Sequence, residues 1–218
     1  MPTLRRFKLI PWLFLTLTAV AADPPTLLPV DESPGHPAFH RFYRKFQRAV
    51  EDRDAAFVLS VIDDRIKLDF GGGEGRNEFI AQWKPSRRDG PLWKELDRIV
   101  ALGCALDKGE DGTPTFSAPY AFKRWPEAFD SFNYILVAGY QVNYRKEPGG
   151  DAAVIRLVSW EIMEVVEKSE GDWVKLRAHD GTVGYVHADY ASSSVGYRIG
   201  FEQDGKGGFK MTFFIAGD

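Results

Sequence analysis

Cysteine is nearly absent: Cys104 is the only one in 218 residues. No intramolecular disulfide can form, so the fold must rest on packing alone. Cys104 stands in Leu102-Gly103-Cys104-Ala105-Leu106, apolar surroundings that raise a thiol pKa, and no histidine follows it in a catalytic motif. It reads as a buried structural thiol rather than a nucleophile. Histidine is scarce too: Pro37 separates His36 from His40, while His179 and His187 flank a predicted hairpin. No metal set is expected, and no cofactor. An excess of positive charge is also missing. Without residues 1–22, which carry Arg5, Arg6 and Lys8, 25 Lys+Arg face 31 Asp+Glu. That balance speaks against nucleic acid as a partner and promises no basic patch for anionic lipid.

What is present starts with an address. Arg5, Arg6 and Lys8 precede an apolar run from Leu9 to Ala22 that ends in Ala19-Val20-Ala21-Ala22. The pattern predicts a secretory signal peptide over 1–22, hence a periplasmic or secreted protein. A membrane anchor needs about 20 apolar residues, more than the run supplies, so no integral membrane segment is expected after cleavage. Residues 23–37 hold Pro24, Pro25, Pro29, Pro34 and Pro37, the composition of an extended linker or, if Leu27, Leu28 and Val30 are buried, of an arm lying on the body.

Residues 38–133 form an expected α-rich N-terminal domain. Phe39, Phe42, Tyr43, Phe46, Ala49 and Val50 make an amphipathic helical stripe, with Arg41, Arg44, Lys45 and Arg48 facing away. Asp52 or Asp54 can cap a second helix bearing Phe57, Val58, Val61 and Ile62, and Ile66, Leu68 and Phe70 then alternate as a short strand. Gly71-Gly72-Gly73-Glu74-Gly75 lies between that strand and a predicted helix over Asn77–Trp83, where a phosphate cradle has to be considered. It lacks the Lys-Ser/Thr and the G-x-G-x-x-G spacing, and Glu74 would repel an anion, so a flexible turn is preferred. Pro91 opens another helix. Asp107–Thr115 reads as a charged loop, and Phe116–Phe132 as an irregular, aromatic-rich connection.

From Gly139 the period becomes two. Val142 and Tyr144 alternate with Gln141, Asn143 and Arg145; Ile162–Val166 and Trp173–Arg177 are further strands; Asp180-Gly181 is a two-residue hairpin signal before Thr182–Val186. Val142-Asn143-Tyr144-Arg145, Trp173-Val174-Lys175-Leu176 and Asp180-Gly181-Thr182-Val183-Gly184-Tyr185-Val186 resemble the bacterial SH3 (SH3b) family, about a quarter of the chain. The resemblance implies a small all-β barrel over 134–191 that binds a peptide or cell-wall peptidoglycan. Tyr144, Trp160, Tyr185 and Tyr190 are the candidate ligand-binding residues, while Arg145 and Trp173 are read as structural.

Beyond the barrel, Val195, Tyr197, Ile199 and Phe201, then Phe209, Met211, Phe213 and Ile215, alternate around Asp204–Gly208 as a hairpin over 192–218. A lone hairpin is marginal, so it is expected to pair with the Ile66–Phe70 strand and complete the N-terminal domain. The Arg53-Asp54 helix, its Gly-rich follow-on and the Gly-Phe-Lys-Met-Thr-Phe-Phe strand are faintly similar to NTF2-like (SnoaL-type) chains. The fold class expected is therefore α+β: a helical N-terminal region with a short strand, a small SH3-like barrel and a C-terminal hairpin. Two functions follow. One is a non-enzymatic exported binding module of the cell envelope. The other is a small-ligand or enzymatic α+β domain targeted by the barrel, with Asp63, Asp64 and Asp69 as its carboxylates. No catalytic residue is assigned.

Overall fold

The computed structural model describes residues 23–109, 112–167 and 171–217. The expected signal peptide, over 1–22, lies outside the described residues. Two sheets, each with its own hydrophobic core, organise the remainder into a mixed α+β fold.

The first core grows from α1 (Pro37–Glu51), which starts on a proline whose missing N–H is no loss at a helix N-terminus. Its stripe buries Phe39, Tyr43, Phe46, Ala49 and Val50. Phe39 stacks on Phe116 with ring centroids 3.5 Å apart, and Phe46 meets Phe201 edge-on. Asp54 Oδ1 accepts the Phe57 N–H at 3.0 Å and starts α2 (Ala55–Val61). After β1 (Ile62–Lys67) come α3 (Arg76–Trp83) and α4 (Pro91–Ala101), then β2 (Ala105–Lys108), β3 (Pro114–Ala118) and the single turn α5 (Ala121–Arg124). Arg53 donates two 2.6 Å bonds to Asp97 and so ties the α1–α2 corner to α4.

Seven strands follow: β4 (Tyr134–Val137), β5 (Val142–Arg145), β6 (Val154–Val158), β7 (Ile162–Glu167), β8 (Trp173–Arg177), β9 (Val183–His187) and β10 (Ala191–Ser192). They form one antiparallel sheet in the order β10-β4-β7-β8-β9-β5-β6 around Val137, Val142, Tyr144, Val158, Met163, Leu176 and Val186. The chain then returns to the first sheet through β11 (Arg198–Gln203) and β12 (Phe209–Ile215). That sheet runs β1-β12-β11-β3-β2, with β1 parallel to β12 and every other pair antiparallel. The hairpin thus occupies the middle of the sheet. Phe213 lies across Gly200, where a Cβ would come within 2.0 Å of the ring.

Several local expectations are corrected. The first strand is Ile62–Lys67 rather than Ile66–Phe70, and Phe70 is exposed. Asp69 Oδ1 accepts the N–H groups of Gly71 and Gly73, while Leu68 N–H bonds Gly73 O, so the chain turns back there instead of extending. The same bonds occupy the amides that a phosphate would need. Residues expected as loop at 107–115 and as irregular chain from Phe116 contribute to a hairpin, β2–β3, because Phe116 and Ala118 reach the aromatic core while their neighbours pair on both sides. Five residues separate β8 from β9, and the bond between Ala178 and Thr182 encloses three of them, not two. Ala178 N–H bonds Thr182 O, Gly181 takes φ +83°, and Asp180 Oδ1 accepts the Thr182 N–H.

Residues 23–37 do not hang free as a linker. Ile162 N–H donates to Pro25 O, Leu27 N–H to Trp160 O, and Glu32 N–H to Cys104 O. Arg124 clamps the far end with bonds of 2.9 and 2.6 Å to the Glu32 carboxylate. A third cluster, with Tyr120, Leu136, Ile162, Trp160 and Leu27, seals the arm against both sheets.

Candidate ligand-binding site

The site is built where the ends of β5, β8 and β9 meet. On β5, Val142 and Tyr144 turn into the barrel core, which leaves Asn143 exposed and Arg145 half-buried with Nη1 donating to Ala152 O at 2.6 Å. On the neighbouring hairpin, register places Trp173 opposite His187. Their rings meet edge to face, centroids 5.3 Å apart and planes at 87°. A 3-10 turn over Ala188–Tyr190 follows, held by Ala188 N–H to Asp172 O and by Ala138 N–H to Tyr190 O, both 2.7 Å. This turn brings Tyr190 back against Gly139, whose Cβ, if it had one, would lie 3.2 Å from the Tyr190 ring and 2.6 Å from Val142 Cγ2. Glycine is required there by close approach.

Tyr140, Asn143, Arg145, Trp173, His187 and Tyr190 therefore line one groove of about 190 Å³. Tyr140 is 75 % exposed and Tyr190 44 %, so both rings are offered to solvent. Gln141, which also lines the groove, holds φ +54°, a left-handed conformation costly for a residue with a Cβ, and its N–H is anchored by Ser159 Oγ at 2.8 Å. His187 Nδ1 accepts the Asp189 N–H at 3.3 Å, which in the neutral ring leaves Nε2 as a donor. Aromatic faces flanked by an amide, a guanidinium and an imidazole can stack on a flat group while bonding a carbonyl or hydroxyl beside it.

Of the four candidates from sequence, the structure puts only Tyr190 in this groove. Tyr144 is fully buried, its Oη 2.8 Å from the carbonyl oxygens of both Leu176 and Thr182, and burial pushes its pKa up to about 12. It is a core residue. Trp160, at φ +56°, packs against the arm and the third cluster. Tyr185 is half-buried, with Lys175 Nζ 6.0 Å from its ring. Tyr140, Asn143 and His187 were missed, and Trp173, read as structural, belongs to the groove. Counting the register from a two-residue turn at Asp180-Gly181 sets Trp173 opposite Ala188, so the Trp173–His187 couple had no signal in the sequence.

The carboxylates considered for acid/base work do not converge. Asp63 Oδ1 accepts the Arg65 N–H and Asp69 caps the glycine turn, while Asp64 is exposed. Cys104 is buried, donates to Asp31 Oδ1 at 3.3 Å, and its thiol pKa is pushed far up, first by desolvation and then by Asp31. No group of His, Cys, Asp or Glu that could hold a metal occurs among the described residues, and no helix among them is long and apolar enough to cross a membrane. Another cavity, about 540 Å³, lies between α4 and the segment 189–197, and Tyr190 lines it as well.

Residues 140–192 match the family model of the bacterial SH3 domain. The match begins at Tyr140 and contains every groove residue named above. No curated protein and no solved structure matches the chain.

Proposed function

We propose that this bacterial SH3 domain is the recognition part of an exported cell-envelope protein, and that it holds an extended peptide or a peptidoglycan strand without cutting it. The observation that carries the reading is the convergence of Tyr140, Trp173 and Tyr190 on one groove beside Asn143 and His187. Two exposed rings and a half-buried one with polar neighbours suit a ligand that carries both apolar and amide-bearing groups. The domain organisation we propose has the five-stranded sheet and its helices as a supporting unit, into which the barrel is inserted between α5 and β11.

The test is retention of residues 23–218 on purified peptidoglycan sacculi, with soluble stem peptides and peptide-free glycan strands as competitors. Tyr140→Ala and Trp173→Ala should each weaken retention at least about tenfold, the loss expected of an aromatic anchor. Tyr185→Ala should leave it unchanged. Release of soluble fragments during the incubation, abolished by changing Asp63, Asp64 or Asp69, would refute the non-enzymatic reading. Retention indifferent to both groove variants would refute the assignment of the groove. A signal peptide at 1–22 and delivery to the periplasm or medium belong to the same proposal, and N-terminal sequencing of the exported protein tests them.

A second reading, a small-ligand site on the α+β unit, draws on the 540 Å³ cavity beside α4. The interior of that unit gives it no support, since Phe39, Phe116 and Phe201 fill the space between helices and sheet.

A further inference from the structure

A net negative charge hides one strongly positive face. From Ser33 to Val50 the chain has no Asp or Glu, and in that stretch stand Arg41, Arg44, Lys45 and Arg48. They fall at i, i+3, i+4 and i+7 of α1, hence on one side of the helix, and all four are exposed; Glu51 and Asp52, exposed at i+3 and i+4 from Arg48, bound that side at the helix C-terminus. None has an ion-pair partner among the described residues, whereas Arg53, Arg124 and Arg156 are each bonded to a carboxylate. Among the described residues, their only side-chain bond is from Arg44 Nη1 to Gln47 Oε1 at 3.1 Å. The opposite side of α1 is locked into the aromatic core through Phe39, Tyr43 and Phe46, so the four charges are carried on a fixed support about 10 Å long.

We propose that this face of α1 docks on an anionic lipid bilayer. The choice of partner follows from what the face has and lacks. None of the cavities at the barrel groove, beside α4, on the sheet or near His36 is lined by these four residues, so none of those four offers them an enclosure for a single small anion. The array is open and convex, which suits a plane of many phosphates reached by long, adaptable side chains. The aromatic residues of α1 pack inward, so the cationic side has no ring on which a nucleobase could stack. Apolar insertion is also missing there, and attraction to the surface is accordingly electrostatic and reversible. The inference does not depend on the barrel groove, which lies on other elements.

Vesicle co-sedimentation of residues 23–218 tests it; that span contains every described element and omits the apolar N-terminal run, which would bind lipid by itself. The probes are vesicles of phosphatidylcholine alone, and of equimolar phosphatidylcholine and phosphatidylglycerol. Binding is expected on the second only, and it should be lost as salt is raised. The double variant Arg44→Gln/Lys45→Gln should weaken binding about 25-fold, at about fivefold per charge near an anionic surface. Arg87→Gln/Arg88→Gln changes net charge equally at exposed positions away from α1 and should change binding less than about twofold. Equal losses from the two double variants would mean that net charge, not this face, is responsible and would overturn the proposal. Absence of binding to the anionic vesicles would overturn it too, and so would tighter binding to polyuridylate through Arg44 and Lys45. Unchanged helical circular dichroism in both variants excludes misfolding as the cause.

Discussion

Gly184 offers a direct test of how the barrel is packed. A Cβ added there would lie 2.6 Å from the Arg145 carbonyl oxygen, 2.9 Å from Tyr144 Cε2 and 2.9 Å from Ile155 Cδ1. Only Ile155, half-buried, can rotate away. The Arg145 oxygen belongs to the β5 backbone, which pairs with β9 at Tyr185, and the Tyr144 ring is held at its far end by Leu176 and Thr182. Overpacking of this kind costs about 1–3 kcal/mol, and two immovable neighbours of three put Gly184→Ala at the upper end. Gly184 has no left-handed φ, so alanine also restricts the unfolded chain and returns about 0.4–1 kcal/mol. The net loss is about 2 kcal/mol. With a urea dependence of about 1–2 kcal/mol/M, the unfolding midpoint falls by about 1–2 M. The assay is equilibrium urea unfolding followed by tryptophan fluorescence, to which Trp160 and Trp173 report from the barrel. Gly150→Ala is the control: nothing lies within 4 Å of its Cβ position, and it should stay within about 0.5 kcal/mol of the parent. A Gly184→Ala midpoint equally close to the parent would refute the packing described for β5, β6 and β9.

Other consequences are as concrete. Phe39→Ala empties the stacking site on Phe116 and should cost about 3–5 kcal/mol, read from the unfolding of the helical signal in urea. Hydrogen bonding from Arg124 is the main reason the Glu32 pKa is lowered from its ordinary 4.5. Its stabilising effect is therefore fully present above about pH 4.5 and is lost as pH falls through the depressed folded value. Glu32→Gln should flatten that part of a stability–pH profile; an unchanged slope would place the acid sensitivity elsewhere. Cys104 should resist Ellman's reagent in the native protein and react at once in denaturant, since its thiol is both buried and raised in pKa. Deleting residues 195–218 removes two of the three interior strands of the five-stranded sheet and should leave the helical part insoluble.

Helices were legible because their signals are local. Pro37, Asp54 and Pro91 each mark a helix start within one turn, and the α1 stripe is seen in its own residues. Barrel strands were legible for the same reason, as alternation between turn residues. Register was not. A two-residue loop at Asp180-Gly181 would have shifted β8 against β9 by one position and turned Trp173 away from His187, because strand faces alternate at every residue. Asp69 hides likewise: nothing in the order Leu68-Asp69-Phe70 says that its carboxylate will collect two glycine amides. Among the aromatics, exposure depended on tertiary partners. Tyr144 and Tyr140 sit four residues apart with similar neighbours, yet one is fixed by carbonyls from β8 and the following turn while the other projects beyond the strand end. The cationic side of α1 was visible as residues facing away, but a chain-wide charge count averaged it out.

The parallel pairing of β1 with β12 has a temporal consequence. A ribosome delivers β1 long before β12, so the five-stranded sheet waits until the barrel strands and β11 have been made. The β10–β4 ladder, at Ala191–Val137 and Ser192–Leu136, brings the two ends of the intervening stretch side by side. Once that ladder has formed, the tether between β1 and β12 is effectively much shorter, and closing it costs less entropy. Assembly would then run from the centre of the sequence outward, with the barrel acting as a splint for the sheet that carries it.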